Sequence, residues 1–130
     1  MKTVFADTHY WLAITHPKDV WAEPAKTAKA AVGDVVLVTT DEVLTEFLAG
    51  MSKGGPVLRR AAVAMARTIM AHSNVRVIAQ IRDTFLRALD RYGEREDKQY
   101  SLVDCAVMNA MDISGVREVL TNDHHFEQEG

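Results

Sequence analysis

Apolar positions fall along the chain in short blocks of two kinds, runs of four that suit buried strands and longer stripes at helical spacing. Thr3-Val4-Phe5-Ala6 is β-prone and closed by Asp7-Thr8, the pattern of a buried strand entering a helix cap. Tyr10, Trp11, Leu12 and Ile14 predict a short apolar helix ending near His16-Pro17. A second helix is expected over 20–32, with Pro24 tolerated in its first turn, and Gly33-Asp34 turns the chain into a strand at Val35-Val36-Leu37-Val38. Thr39 and Glu42 carry a capping-box pattern for a helix from Asp41 to about Lys53, striped with Val43, Leu44, Phe47, Leu48 and Met51. Gly54-Gly55-Pro56 breaks the chain.

Beyond the break, a helix over Val57 to His72 carries Leu58, Val63, Met65, Ile69 and Met70, and Val75-Arg76-Val77-Ile78 reads as a third strand. A helix from about Gln80 to Tyr92 is expected to bury Ile81, Phe85, Leu86 and Leu89 and to stop at Gly93. Ser101 to Met111 then forms a helix apolar on nearly every side, which places it inside the domain. Ser114-Gly115 ends it, and Glu118-Val119-Leu120-Thr121 is the fourth strand, closing on Asn122-Asp123. Strands alternating with helices predict an α/β domain with a mainly parallel sheet and helices on both faces. In such sheets ligands bind beyond the carboxyl ends of the strands, where Asp7 and Asp123 fall.

Composition narrows the class further. With 130 residues, 48% hydrophobic and 25% charged, the chain fits one globular domain, 1–130, with no repeat or linker. A formal charge of −3 excludes binding of nucleic acid through bulk positive charge, so any polyanionic substrate must meet local cations. A lone cysteine, Cys105, excludes an internal disulfide and reads as a small buried hydrophobe. With no signal-peptide pattern and no membrane-length apolar run, a cytoplasmic location is expected.

Four carboxylates stand where a solvated acid would not be expected together. Asp104 lies on the buried helix and so requires a partner, for which a cap shared with Ser101 is the local solution. Glu46 lies one turn into its helix beside the core-facing stripe, Asp7 has the position of an N-cap, and Asp123 that of a turn residue. Each local explanation suffices alone, yet none accounts for acids at the ends of two strands and on two core-facing helices. His124-His125 lacks partners at zinc-like spacing. Arg87, Arg91 and Arg95 recur at helical spacing, but Asp83, Asp90 and Glu94 interleave with them as in an ion-paired solvated face. Lys26, Lys29, Lys53, Arg59 and Arg60 are unspecific candidates for phosphate contact, and His9 for substrate contact.

The blocks Val4-Phe5-Ala6-Asp7-Thr8, Thr40-Asp41-Glu42-Val43-Leu44-Thr45-Glu46-Phe47, Asp97 to Asp104, and Val119 to Phe126 resemble, in order and spacing, the PIN domain and more narrowly the VapC-type toxins of toxin-antitoxin systems. The resemblance implies a PIN-like three-layer domain in which Asp7, Glu46, Asp104 and Asp123 converge on Mg²⁺ or Mn²⁺. Thr8, Ser101 and Thr121 would orient those carboxylates, and Asp41, Glu42 and Asp97 are lesser candidates. Hard cations take oxygen ligands and retain water, which suits such a set. Two carboxylates about 5 Å apart repel by roughly 3 kcal/mol at an effective dielectric near 20, and a divalent ion removes that repulsion. By resemblance the activity is hydrolysis of RNA phosphodiesters, with a cognate antitoxin and a homodimer as partners. The other readings are a PIN nuclease for RNA processing outside a toxin pair and a catalytically silent RNA- or protein-binding scaffold. Family members usually continue past the last acidic block into another edge strand, whereas this chain ends Phe126-Glu127-Gln128-Glu129-Gly130.

Overall fold

The computed structural model describes residues 2–16 and 34–120. The helix expected over 20–32, Lys26, Lys29, Thr121, Asp123 and His124-His125 lie outside the described residues. Within them the order is β1 (Lys2–Ala6), α1 (Thr8–Thr15), β2 (Val35–Thr40), α2 (Asp41–Met51), α3 (Gly55–Ala71), β3 (Val75–Ile78), α4 (Arg82–Glu94), α5 (Leu102–Ser114) and β4 (Val119–Leu120). The four strands form one sheet in the order β3-β2-β1-β4, parallel at every pairing. The chain steps outward from β1 to β2 to β3 and then returns past β1 to β4. Right-handed crossovers therefore place α1 to α3 on one face of the sheet and α4 with α5 on the other. The α/β architecture read from the alternation of patterns is the one observed.

Core residues come from every layer. Val4, Phe5 and Ala6 of β1, Val35 and Val38 of β2, and Val43, Phe47 and Met51 of α2 are buried, together with Cys105, Val107 and Met108 of α5. Each large side chain so enclosed contributes about 1.5–3 kcal/mol. Gly50 lets α1 approach α2 closely, since a Cβ there would stand 3.0 Å from Leu12 Cδ2. Gly115 adopts φ 68° and turns the chain out of α5, its N–H donating to the carbonyls of Met111 and Asp112.

Four expectations need correction. Thr40, not Thr39, caps α2, its hydroxyl accepting from Val43 N at 3.1 Å. Thr39 belongs to β2, where strand alternation points its side chain to the other face. In α4 the expected stripe is not the buried one: Ile81, Leu86 and Leu89 are exposed, Phe85 is half-buried, and Ala88 alone of that helix is fully enclosed. α5 packs directly on this face, and a close helix contact favours the methyl of Ala88 over a longer side chain. In α3, Ala62, Ala66 and Ile69 face the core while Val63 and Met70 are exposed. Gly93 does not stop α4, which runs to Glu94 and is capped by Arg95.

Candidate active site

The return of the chain past β1 creates a switch point between β1 and β4, where a parallel sheet opens a crevice at its carboxyl edge. Asp7 stands there. Its N–H donates to the Leu120 carbonyl at 3.4 Å, prolonging the β1–β4 ladder, and its Oδ1 accepts from His9 N at 3.1 Å and Tyr10 N at 3.5 Å as the N-cap of α1. Only 4% of Asp7 is exposed. The positive end of α1 and the two backbone donors stabilise this enclosed carboxylate.

Thr8 follows, 5% exposed, with a buried Oγ1 that has no hydrogen-bond partner among the described residues. Such an unsatisfied hydroxyl costs about 1–3 kcal/mol. Glu46, one turn into α2, is half-buried and makes no hydrogen bond or ion pair among the described residues. Asp104 forms the expected box at the start of α5: Ser101 N donates to its Oδ2 at 3.0 Å and Asp104 N donates to Ser101 Oγ at 3.0 Å. That box fixes the carboxylate of Asp104, on a helix that packs against both α2 and β2.

The donor set at this edge consists of carboxylate and hydroxyl oxygens, the chemistry that Mg²⁺ and Mn²⁺ take, and an orphaned hydroxyl beside a buried acid fits a group bound there. Among the described residues no group of three or more His, Cys, Asp or Glu side chains is close enough to hold a metal ion, so Asp7, Glu46 and Asp104 are not gathered into such a cluster on their own. Asp123, the fourth acid of the predicted set, and Thr121 lie outside the described residues, shortly after β4. Mg²⁺ is commonly held by one or two carboxylates with water and phosphate filling its other positions.

Elsewhere, charged candidates resolve into structural roles. Asp41 Oδ2 accepts from Gln80 N at 2.9 Å, tying the start of α2 to the β3–α4 connection. Arg87 pairs with Asp83 at 2.8 Å, Arg91 donates to Asn109 Oδ1 and Asp112 Oδ2, both at 3.0 Å, and Arg95 lies 3.5 Å from Asp97 and over the Tyr100 ring. The α4–α5 cleft of about 380 Å³ is thus lined by both signs of charge, as the interleaved acids predicted, and forms no cationic track. Arg59 donates to the Ser52 carbonyl at 2.9 Å.

One functional group escaped the sequence reading. Thr39, fully buried, donates through Oγ1 to the Ala6 carbonyl at 2.9 Å and accepts from Trp11 Nε1 at 3.3 Å. A signal existed: a buried indole N–H must find an acceptor, and Trp11 lies on an apolar helix with none of its own.

With switch point and acids in place, the class follows: the chain belongs to the PIN domain family, whose model matches residues 4–129. Among solved structures it is similar to VapC20 of Mycobacterium tuberculosis, described as a toxin that cleaves the sarcin-ricin loop. The two share 27% sequence identity over 98% of this chain and 95% of that one, with a TM-score of 0.85. The fold is that of a VapC-type PIN domain. No curated relative matches the chain. No helix among the described residues is long and apolar enough to cross a membrane.

Proposed function

We propose that the protein is a divalent-metal-dependent endoribonuclease, acting in the cytoplasm as the toxin of a VapBC-type pair. The observation that carries this reading is the buried carboxylate of Asp7 at the β1–β4 switch point of a VapC-type PIN domain, beside the orphaned hydroxyl of Thr8. Asp7, Asp104 and Asp123 would hold Mg²⁺ or Mn²⁺, with Glu46 as a further ligand or as the acceptor that positions the attacking water. Bound there, the ion would lower the pKa of water and offset charge on the scissile phosphate. Ser101 orients Asp104 through their shared box, and Thr8 and Thr121 would orient the other carboxylates once the ion is bound.

An antitoxin and a second copy of the chain are the proposed protein partners. Leu86 and Leu89 on α4 with Val63 and Met70 on α3 are exposed large hydrophobics, which supports surfaces covered by protein. The test is cleavage of single-stranded RNA by the purified protein. Cleavage is expected with Mg²⁺ or Mn²⁺, none with EDTA, and a loss of at least about a hundredfold in Asp7→Asn and Asp104→Asn. Asparagine retains an acceptor for the cap at either position, so circular dichroism should show both variants folded. Wild-type rates in either variant would reject the reading.

A further inference from the structure

A polyanionic substrate must meet local cations, and the arginines of α4 do not supply them. Arg87, Arg91 and Arg95 are each paired with an acid, Asp83, Asp112 and Asp97, and Lys2 is paired with Glu118. Between Glu46 and Asp83 the charge is distributed differently. Residues 47–82 hold six of the fifteen Lys and Arg side chains and none of the eighteen Asp and Glu, so a stretch of +6 is set in a chain of −3. Cations gathered without opposing acids repel one another in the folded chain, and such segregation marks a surface for an anionic partner.

Helix α3 concentrates this charge. It has no acid along its length, and Arg59, Arg60 and Arg67, with Lys53 just before it, form no ion pair among the described residues. Arg60, Ala64, Arg67 and Ala71 follow a 4-3-4 spacing and so share one exposed row, while Ala62, Ala66 and Ile69 face the core. Two turns of helix separate the two arginines of that row, about 10 Å along the axis. The rest of the row offers only methyl groups, so the guanidinium groups project clear of it and leave room for a chain to lie along the helix. α3 packs on α1, which Asp7 caps, and on α2, which bears Glu46. A strand of nucleic acid on this row therefore lies on the layer of the domain that carries two of the acids.

Exposed Val63 and Met70 occupy the neighbouring row, which makes a protein helix the competing occupant. RNA is favoured because the outermost row of α3 presents fixed positive charge and no apolar group larger than a methyl, whereas a docked helix would centre on large apolar side chains.

We propose that the Arg60 and Arg67 row of α3, extended by Lys53 and Arg59, is a rail for the phosphate backbone of single-stranded RNA and binds it without regard to base. The proposal rests on the ribonuclease reading for the choice of polyanion and adds the surface that holds the substrate away from the scissile bond. Contacts of this kind release counterions, and each contributes about 0.7 to the fall of log K with log salt for a single strand.

The experiment follows binding of a fluorescein-labelled single-stranded RNA of about twenty nucleotides by anisotropy, in EDTA and over a range of KCl concentrations, and its cleavage with Mn²⁺. The double variant Arg60→Gln with Arg67→Gln should reduce the salt slope by about 1.4 and weaken binding about tenfold at 0.1 M salt. Its melting temperature should match wild type, since both positions are exposed. Arg87→Gln also removes one positive charge, but from an ion-paired site, and should leave the slope as in wild type. An unchanged slope in the double variant would overturn the rail. So would unchanged RNA affinity accompanied by lost binding of an acidic amphipathic peptide of leucine and glutamate, a result that assigns the row to a protein partner. Asp7-dependent cleavage with a wild-type slope in the double variant removes the rail and leaves the nuclease reading. A slope that falls as expected in a protein that cleaves no RNA keeps the rail and removes that reading.

Discussion

Thr39 and Ala6 are joined across the end of the β1–β2 ladder by a side-chain hydrogen bond, the Thr39 hydroxyl donating to the Ala6 carbonyl at 2.9 Å. The same hydroxyl accepts from Trp11, so one atom links β2, α1 and the peptide that leads directly into Asp7. Thr39→Val preserves shape but leaves a buried carbonyl and a buried indole N–H unsatisfied. A loss of about 1–3 kcal/mol is expected, read as a lower urea midpoint. If the relay also orients Asp7, the variant will need more Mn²⁺ for half-maximal RNA cleavage, and Thr39→Ser will restore both properties. A stability loss with unchanged Mn²⁺ dependence would confine Thr39 to the core.

Metal binding should register in stability as well as in activity. An ion that binds the folded state alone stabilises it by about 2.7 kcal/mol at a hundred times its Kd. Millimolar Mn²⁺ is therefore expected to raise the melting temperature over that in EDTA, and Asp7→Asn should abolish the difference. An identical midpoint in wild type with and without Mn²⁺ would argue against a cation at this edge.

Helix α4 offers a packing test in which the smaller residue matters more. Ala88 is 1% exposed against α5, whereas Leu89, its neighbour in sequence, is 47% exposed. Ala88→Leu should cost about 1–3 kcal/mol through overpacking, while Leu89→Ala should stay within about 0.5 kcal/mol in the monomer. Urea denaturation of the two variants measures both, and a larger cost for Leu89→Ala would contradict the orientation of α4.

Burial raises the pKa of the Tyr10 phenol above its ordinary value of 10.0, by desolvation of the charged form. The folded state thus holds this proton more tightly than the unfolded chain. Its contribution is present in full below pH 10 and is lost as pH rises through the folded value. Tyr10→Phe should flatten that alkaline part of the stability profile in urea titrations, and an unaltered slope would show that another group causes it.

How far the sequence carries is visible at particular residues. The strands of β1, β2 and β3 and the buried central helix could be read because each pattern is local and has a single period. The Ser101–Asp104 cap was legible for the same reason: its two partners are three residues apart. Thr39 and Thr40 are both chemically able to cap α2, and only the pleat of β2, set by pairing with β1, decides between them. In α4 two adjacent faces carry long apolar residues, and the choice falls to the approach of α5, which no local pattern encodes. The acids at positions 7, 46 and 104 could be named from the sequence, but their separations depend on how a strand end and two helices meet.

The pairing of β4 with β1 joins Val119 and Leu120 to Phe5 and Ala6, so the crevice at Asp7 is bounded by segments from opposite ends of the described chain. During synthesis, β1, β2 and β3 can associate while the segment bearing β4 is still inside the ribosome, but the wall beside Asp7 cannot yet exist. A partly made chain therefore lacks the crevice beside Asp7, which is walled only once translation has delivered β4.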